Sequence, residues 1–522
     1  MGHRGAAAAD RGPARTFDDA VHGGERVAMS ATGVTTTTSL APADSPVGFW
    51  QRPAVRWVAL VVVFVWGAYQ CLWNILAANP NADEPEYIIV GRWYLQGDLR
   101  ANHEQPPTAK YLFGAVQLLF GEGPLAPRLL VGVLTLLGGV IVFLWLKPEL
   151  GWMPALIPTA FWLLLPRGVA TTFEFRLDRF AVLDPVMVFF AIAAMAAAWQ
   201  WHRGRSVVWI GVAAFSLGLS ATSKPTTAVM IPAFVVLILM RRRLKDVLIA
   251  LSVAAIVLLA TVLLVYWPIG FVTGMRDLIE FQVTHNQNGH LIDLGSIATG
   301  HPPWWANLYF AWKGFGAVTV VVLAGGCVAS LFDRANRFLV VYLLLALAPL
   351  VVFYLFIAQN ALASYYYAWS WALCILAGIG CAWLLKAHGS RILTASLRAV
   401  GGVLLAFALI AAVGTSALVW NDGPTGFGRA DETLRAAGID HGDVLVSGVA
   451  PWEPEQFLHD RWTVDTKASC IVAVATKVSP RSPIAPEVTA YLQEHAAHLH
   501  QTMLNDVTFY VFDRATAAAN CG

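Results

Sequence analysis

The sequence predicts an all-α polytopic membrane protein with about eleven transmembrane helices, interfacial helices beside them and a small C-terminal α/β domain. Three observations predict it. First, the 522 residues are 57% hydrophobic and 13% charged, where soluble proteins carry roughly 25% charged and about 45–50% apolar residues. Mean hydropathy is accordingly +0.59. Second, apolar residues gather in runs near 54–77, 125–146, 152–168, 182–200, 207–222, 226–240, 246–269, 305–331, 338–358, 365–386 and 393–420. A bilayer core of roughly 30 Å needs about 20 such residues per helix. Third, the composition turns ordinary after Trp420. A soluble enzyme, a disordered chain and a collagen-like fibre are excluded. Nucleic acid is excluded as a partner, because a net charge of +2 supplies no basic stripe for phosphates.

Residues 1–50 are rich in Ala, Thr, Gly and Pro, without an apolar stripe, and read as a disordered cytoplasmic tail. They are too polar for a signal peptide's apolar segment. Residues 51–420 hold the spans. Basic residues alternate between their loops: Lys147, then Arg203 and Arg205, then Arg241 to Arg243 with Lys245, then Arg334 with Arg337, then Lys386 with Arg391. All fall on one side when the N-terminus is cytoplasmic, so the positive-inside rule predicts a multi-pass plasma-membrane protein in that orientation. The segments 79–124 and 271–304 and the domain 421–522 then lie outside the cell. In that domain DVLVSGV and TFYVFDR read as strands and EVTAYLQEHAAHLHQ as an amphipathic helix. Cys71, Cys327, Cys374 and Cys381 lie in apolar runs and read as small hydrophobes. Cys470 and Cys521 can form one disulfide in an oxidising compartment. Two further stretches, 111–121 and 84–96, are apolar on one face but too short to span, and read as interfacial helices.

The unusual charge sits in the predicted external connections. Asp83 and Glu84 adjoin just past the first span. They read as a general base with a supporting acid, or equally as a helix start, because Asp83-x-x-Glu86 fits a capping box and Pro85 suits a first turn. In RGVATTFEFRLDRFAVLDP (167–185), Arg176 and Arg179 flank Asp178, and Asp184-Pro185 opens the next helix. This is either an Arg–Asp anchor or an anion site, guanidinium being suited to phosphate. Lys224, in GLSATSKPTT, lies against the basic bias of the other loops. It reads as a snorkelling anchor or, with the arginines, as a phosphate ligand. The spacing is not that of a Walker A loop. His285, His290 and His301 match no zinc signature. A wet substrate-facing loop is the preferred reading there, with a divalent metal on Glu104, His285 and His290 as the open alternative. Tyr365 and Tyr366 open the tenth span and can equally form an aromatic belt.

These segments resemble a known family. DEPEY, GRWYLQGDLR, HEQPPTAKYLFG, RLDRFAVLDP, GLSATSKPTT and SYYYAWSWALCILAG occur in that order. Across about residues 54–390 the chain is similar to the GT-C membrane glycosyltransferases, in the branch of protein O-mannosyltransferases and aminoarabinose-lipid A transferases. The resemblance implies a GT-C fold and a sugar donor linked to polyprenyl phosphate. It matches the acidic pair to Asp83 and Glu84, the Pro-Pro-x-x-Lys stretch to Pro106, Pro107 and Lys110, and further family positions to Arg128, Asp184 and Lys224. The chain departs from the His-Pro-Pro of protein mannosyltransferases. It has Glu104-Gln105-Pro106-Pro107 with His103 displaced, which counts against protein mannosylation. The segment 271–304 is too short for the β-trefoil insert of eukaryotic members.

The residues fit that chemistry independently. Nucleotide sugars are not supplied outside the membrane, and a lipid phosphate leaves as a stable anion with little acid assistance. One base for the acceptor hydroxyl and cations for the phosphate then suffice. Asp83, with Arg128, Arg176, Arg179 and Lys224 around the phosphate, is that inventory. Glu104, Pro106, Pro107, Lys110, Asp184, His285, His290, Tyr365 and Tyr366 are expected to line the pocket. The expected reaction is single displacement with inversion onto a protein, polysaccharide or lipid acceptor. The rival class, a transporter or flippase of lipid-linked sugars, requires ionisable residues in mid-span, and the spans are nearly clean.

Overall fold

The computed structural model describes residues 52–521 apart from 79–82, 169–175, 205, 242, 296, 387, 425, 450–453, 455–456, 459, 478–482 and 505–506. The expected tail, 1–50, lies outside the described residues. Eight described helices are long and apolar enough to cross a membrane: α1 (Pro53–Leu72), α4 (Leu125–Leu150), α6 (Leu183–His202), α9 (Leu244–Tyr266), α11 (Ala306–Ser330), α12 (Arg337–Val352, running into a π turn Phe353–Ile357), α13 (Tyr367–Leu384) and α14 (Arg391–Trp420). Three shorter apolar helices complete the expected spans: α5 (Trp152–Leu164), α7 (Val208–Ala221) and α8 (Ile231–Leu239). Helix α8 is entered through a 3₁₀ turn at Pro225–Met230, where Pro225 removes one donor and restricts the backbone.

Helices α6 and α13 form the centre. Both are buried almost all round, α13 with the small residues Ala368, Ala372, Ala377, Gly378 and Gly380. Small side chains let helix backbones approach closely inside a membrane, where packing rather than hydrophobicity drives association. Most of α1 and α9 is left uncovered by protein. A helix that is apolar all round yet unpacked suits a lipid-facing position.

Both short stretches expected to be interfacial are helices, α2 (Glu84–Leu95) and α3 (Thr108–Phe120). They cross at Gly91 and Gly114, and a Cβ on Gly114 would run into the Gly91 carbonyl. Between α9 and α11, the segment read only as a loop folds as α10 (Phe271–Asn288) and the hairpin β1 (Ile292–Leu294) with β2 (Ile297–Thr299). Phe271, Met275, Leu278 and Phe281 recur every three or four residues there, the helical period that its charged residues obscure.

The C-terminal part holds a mixed five-stranded sheet in the order β4-β3-β5-β7-β6. The strands are β3 (Asp443–Ser447), β4 (Trp462–Thr463), β5 (Ile471–Lys477), β6 (Leu499–Leu504) and β7 (Val507–Phe512). Strand β3 runs parallel to β4 and β5, and the β5–β7 and β7–β6 pairs are antiparallel. Both expected strands are present. The expected helix is shorter than its pattern, ending at Glu494, because Leu499–Leu504 pairs along β7 as an edge strand. Cys470 and Cys521 are disulfide-bonded, tying the start of β5 to the last helix, Arg514–Cys521. The bridge closes a separation of 51 residues, so C470A/C521A is expected to destabilise this domain by about 2–4 kcal/mol. Unfolding of the purified protein followed by far-UV dichroism checks this, and unchanged stability would contradict it.

Candidate active site

The site is built on the start of α2. Asp83 is its N-cap by backbone alone: the Asp83 carbonyl accepts from Tyr87 N at 3.2 Å, and its carboxylate makes no capping bond. Pro85 occupies the first turn, where a missing N–H is harmless. The Asp83 carboxylate is therefore available to a cavity of about 670 Å³ that it lines with Asp184, Lys224 and Tyr365.

Glu84 turns the other way and is fully buried. Arg128 of α4 grips it with Nε at 2.8 Å from Oε1 and Nη2 at 2.7 Å from Oε2. Arg128 Nη1 also donates to the carbonyls of Ile75 and Ala78, each at 2.9 Å. Glu84 Oε1 further accepts from Ala181 N at 2.7 Å. One buried carboxylate thus joins the end of α1, the start of α2 and the chain leading to Asp184.

On the opposite wall, Asp184 lies in the first turn of α6 and Lys224 follows α7. Lys224 Nζ donates to Asp184 Oδ1 at 2.7 Å and sits 4.6 Å from the centre of the Tyr365 ring. Tyr365 packs on Tyr354, whose hydroxyl meets Thr226 Oγ1 at 2.9 Å. A third wall comes from Glu86 in the first turn of α2 and from the α2–α3 connection, with Asn102, Glu104 and Gln105. Asn102 Nδ2 bridges Glu86 Oε1 at 2.7 Å and Glu104 Oε1 at 2.9 Å. Helix α10 closes the cavity with Phe281 and His285, whose rings stack, and Asn360 Nδ2 donates to the His285 carbonyl at 2.9 Å.

Asp83 opens onto the cavity, but surrounding protein strips much of its water. That desolvation pushes its pKa above the ordinary aspartate value. Lys224 opposes the rise, Asp184 adds to it, and His285 opposes it weakly. Burial disfavours charge on Lys224, yet Asp184, Tyr365 and Asp83 outweigh it and hold the ammonium above the usual lysine value. Burial lowers His285, with Asp83 pulling the other way. A carboxylate whose pKa is raised, beside a cation whose charge is secured, is suited to taking a proton next to a bound anion.

Residues 104–267 match the family described as dolichyl-phosphate-mannose-protein mannosyltransferase. The undecaprenyl phosphate-alpha-4-amino-4-deoxy-L-arabinose arabinosyl transferase 1 of Proteus mirabilis (strain HI4320) is 26% identical over 189 residues, 34% of this chain and 32% of the relative. The corresponding transferase of Edwardsiella ictaluri (strain 93-146) is 27% identical over 210 residues, 38% of this chain and 36% of the relative. The chain thus spans about a third of the length of these curated relatives. The crystal structure of ArnT from Cupriavidus metallidurans bound to undecaprenyl phosphate superposes with a TM-score of 0.55 at 14% identity, covering 88% of this chain and 98% of that one. The fold is GT-C. The apo oligosaccharyltransferase of Archaeoglobus fulgidus, at TM-score 0.50 and 11% identity, covers 82% of this chain and 70% of that one. The resemblance carried by the sequence motifs is borne out: the likeness is to the ArnT and protein-mannosyltransferase type.

Within this GT-C bundle, several residues assigned from sequence lie elsewhere. Arg128 is consumed by Glu84 and two carbonyls, as above, so neither Arg128 nor Glu84 lines the cavity. Arg176 is buried and paired with Asp178 at 2.8 and 2.6 Å, and Arg167 meets the same carboxylate at 2.7 Å. Arg179 donates to the carbonyls of Gln70 at 3.0 Å and Trp73 at 2.8 Å, and to Asp422 Oδ2 at 3.2 Å. Neither Arg176 nor Arg179 faces the cavity. The Arg–Asp anchor prevails because an unpaired guanidinium at such depth is far costlier than a paired one. Tyr366 is buried with its hydroxyl on the Gly168 carbonyl at 2.5 Å, and Pro106, Pro107 and Lys110 are buried behind the cavity wall. Glu104, Asp184, His285, His290 and Tyr365 do line it.

Among the described residues, no group of three or more His, Cys, Asp or Glu is placed to hold a metal ion, so Glu104, His285 and His290 do not assemble the alternative metal site. Sequence reasoning missed Asn102, Gln105, Tyr354 and Asn360 as lining residues, and weighed Glu86 only as a cap. Asn102 owes its place to a left-handed backbone, φ 55°, which asparagine adopts more readily than most residues.

Arg128→Met would take the guanidinium away from the buried Glu84 carboxyl and leave the Ile75 and Ala78 carbonyls without this donor. A loss of roughly 3–5 kcal/mol is expected, read from unfolding of the detergent-purified protein by tryptophan fluorescence. A loss below about 1 kcal/mol, the scale of an exposed pair, would contradict the brace.

Proposed function

We propose that this protein is an integral membrane glycosyltransferase that moves a sugar from a polyprenyl-phosphate donor to an acceptor hydroxyl on the extracytoplasmic side. The observation that carries it is one cavity shared by Asp83 and the Lys224–Asp184 pair. Lys224 is the one Lys or Arg among the described lining residues. In this reading it receives the donor phosphate, while Asp184 keeps it charged and placed. Asp83 takes the acceptor proton as the acceptor oxygen bonds to the anomeric carbon. The carbon–oxygen bond to the phosphate breaks, and its electron pair leaves with the lipid phosphate, whose charge Lys224 balances. A direct in-line displacement inverts the anomeric centre.

The arabinosyl transferases named above carry an undecaprenyl-phosphate donor in their names, which supports the donor class. The disulfide and the basic bias of the alternate loops support the orientation. Four carboxylates, Asp83, Glu86, Glu104 and Asp184, line the cavity against one lysine. This balance favours a neutral or cationic sugar over a carboxylated one, because like charges in a desolvated site repel strongly.

Transfer from a radiolabelled polyprenyl-phosphate sugar tests the reading. Asp83→Asn is expected to lower kcat by roughly 10²–10⁴-fold, the usual contribution of a general base. Transfer at the wild-type rate would exclude Asp83 as the base. A product of retained anomeric configuration by NMR would exclude single displacement.

The pH profile carries a sign. Asp83 works deprotonated, so activity rises with pH through its raised pKa, on an acid limb above that of an ordinary aspartate. Lys224→Met removes the main group lowering that pKa and is expected to move the limb further up, whereas Asp184→Asn is expected to move it down. A limb unmoved in both variants would detach Asp83 from the rate.

A further inference from the structure

Of the lining residues, Asn102, Glu104 and Gln105 belong to neither α2 nor α3 but to the connection between them. What holds that connection is Lys110, on the first turn of α3, fully buried and outside the cavity lining. Its ammonium donates to Asn102 O at 2.5 Å, Asn102 Oδ1 at 2.9 Å and Gln105 O at 2.8 Å, with Tyr94 Oη at 3.4 Å. These acceptors take all three of its N–H donors. The Asn102 amide, held through its oxygen, then turns its nitrogen outward to both Glu86 and Glu104.

Two further ties hold the same connection. His103 Nδ1 lies 3.3 Å from Asp277 Oδ2 of α10, and Thr108 bonds Thr222 through both backbone (3.1 Å) and side chain (2.7 Å), two residues before Lys224.

We propose that Lys110 is a positioning residue: an internal strut that fixes Asn102 and so sets the spacing of the Glu86 and Glu104 carboxylates facing the substrate. Its importance for catalysis rests on the proposed transferase reading; the strut itself does not. Two carboxylates bridged by one amide nitrogen keep unused lone pairs, and in this arrangement they accept hydroxyl or ammonium hydrogens of a bound sugar. Lys110 supplies the opposing charge from behind without occupying the pocket. Burial draws its pKa down to about 7, with Glu104 and Glu86 pulling the other way.

A methionine at 110 keeps the apolar stem and removes the donors. In Lys110→Met, amide hydrogen exchange across residues 99–106 of the purified full chain is expected to accelerate at least about tenfold, with α6 and α13 unchanged. The KM for donor is expected to rise about tenfold with kcat within about twofold, since Asp83 and Lys224 stand on other walls. Asn102→Ala, which leaves the buried lysine in place, is expected to reproduce the KM change, and the double variant to be no worse than either single one, as for residues acting in one chain.

Unchanged exchange over 99–106 overturns the strut whatever the activity. A kcat loss like that of Asp83→Asn with KM unchanged, or additive KM effects, overturns its role in spacing the carboxylates. If the wild type transfers no sugar, the proposed function falls, and the exchange data alone then decide the strut.

Discussion

Glu84 is the constraint on which the site depends. Its carboxylate is fully buried and is acceptable there only because Arg128 covers it in a two-pronged ion pair and Ala181 N donates to it. Those contacts bring together segments far apart in sequence. Arg128 caps the carbonyls at the end of α1 while Glu84 begins α2, so the intervening chain must return to the same point and Asp83 is left facing the cavity. The bond to Ala181 places Asp184 by the same means, three residues further along. The geometry between proposed base and proposed phosphate-binding pair is therefore set by a charge pair that does not line the cavity.

That division of labour explains how far the site was legible from sequence. Asp83 and Glu84 are adjacent and chemically alike, and nothing in their local pattern says which one is buried. The answer depends on Arg128, 44 residues away. Arg176 and Arg179 looked available because their partners are not all local: Asp178 is a neighbour, whereas Asp422 comes from beyond the last span. Lys224 and Asp184 were recognisable by their position against the basic bias and at a helix start. Their pairing, 40 residues apart, was not. The apolar helices were legible, because eleven apolar runs need no tertiary information. Helix α10 was missed where polar substitutions hid its period, and β6 where an amphipathic pattern continued into a strand.

The electrostatics of the cavity are uneven in a useful way. One wall has a lysine whose charge Asp184 and a tyrosine ring secure; another has two carboxylates linked by an amide. A ligand with an anionic end and a hydroxyl-bearing end would find complementary groups on both, in a space of about 670 Å³, within the usual range for small-molecule sites. The amphipathic helix α10 and the aromatic residues Phe281, Tyr354 and Tyr365 supply apolar walls between these poles. Desolvation by the surrounding protein raises the Asp83 pKa above the ordinary aspartate value.

The Arg179–Asp422 pair has a bearing on where this chain can be cut. Asp422 lies two residues past α14, in what by composition already belongs to the soluble part, yet its side chain is buried against a guanidinium of the bundle. A boundary drawn at the last hydrophobic residue would discard the counter-ion and strand a cation next to Gln70 and the end of α1. Loss of activity after such a truncation would report a damaged scaffold rather than a missing soluble domain. The structural unit of the bundle reaches at least two residues beyond its hydrophobic edge.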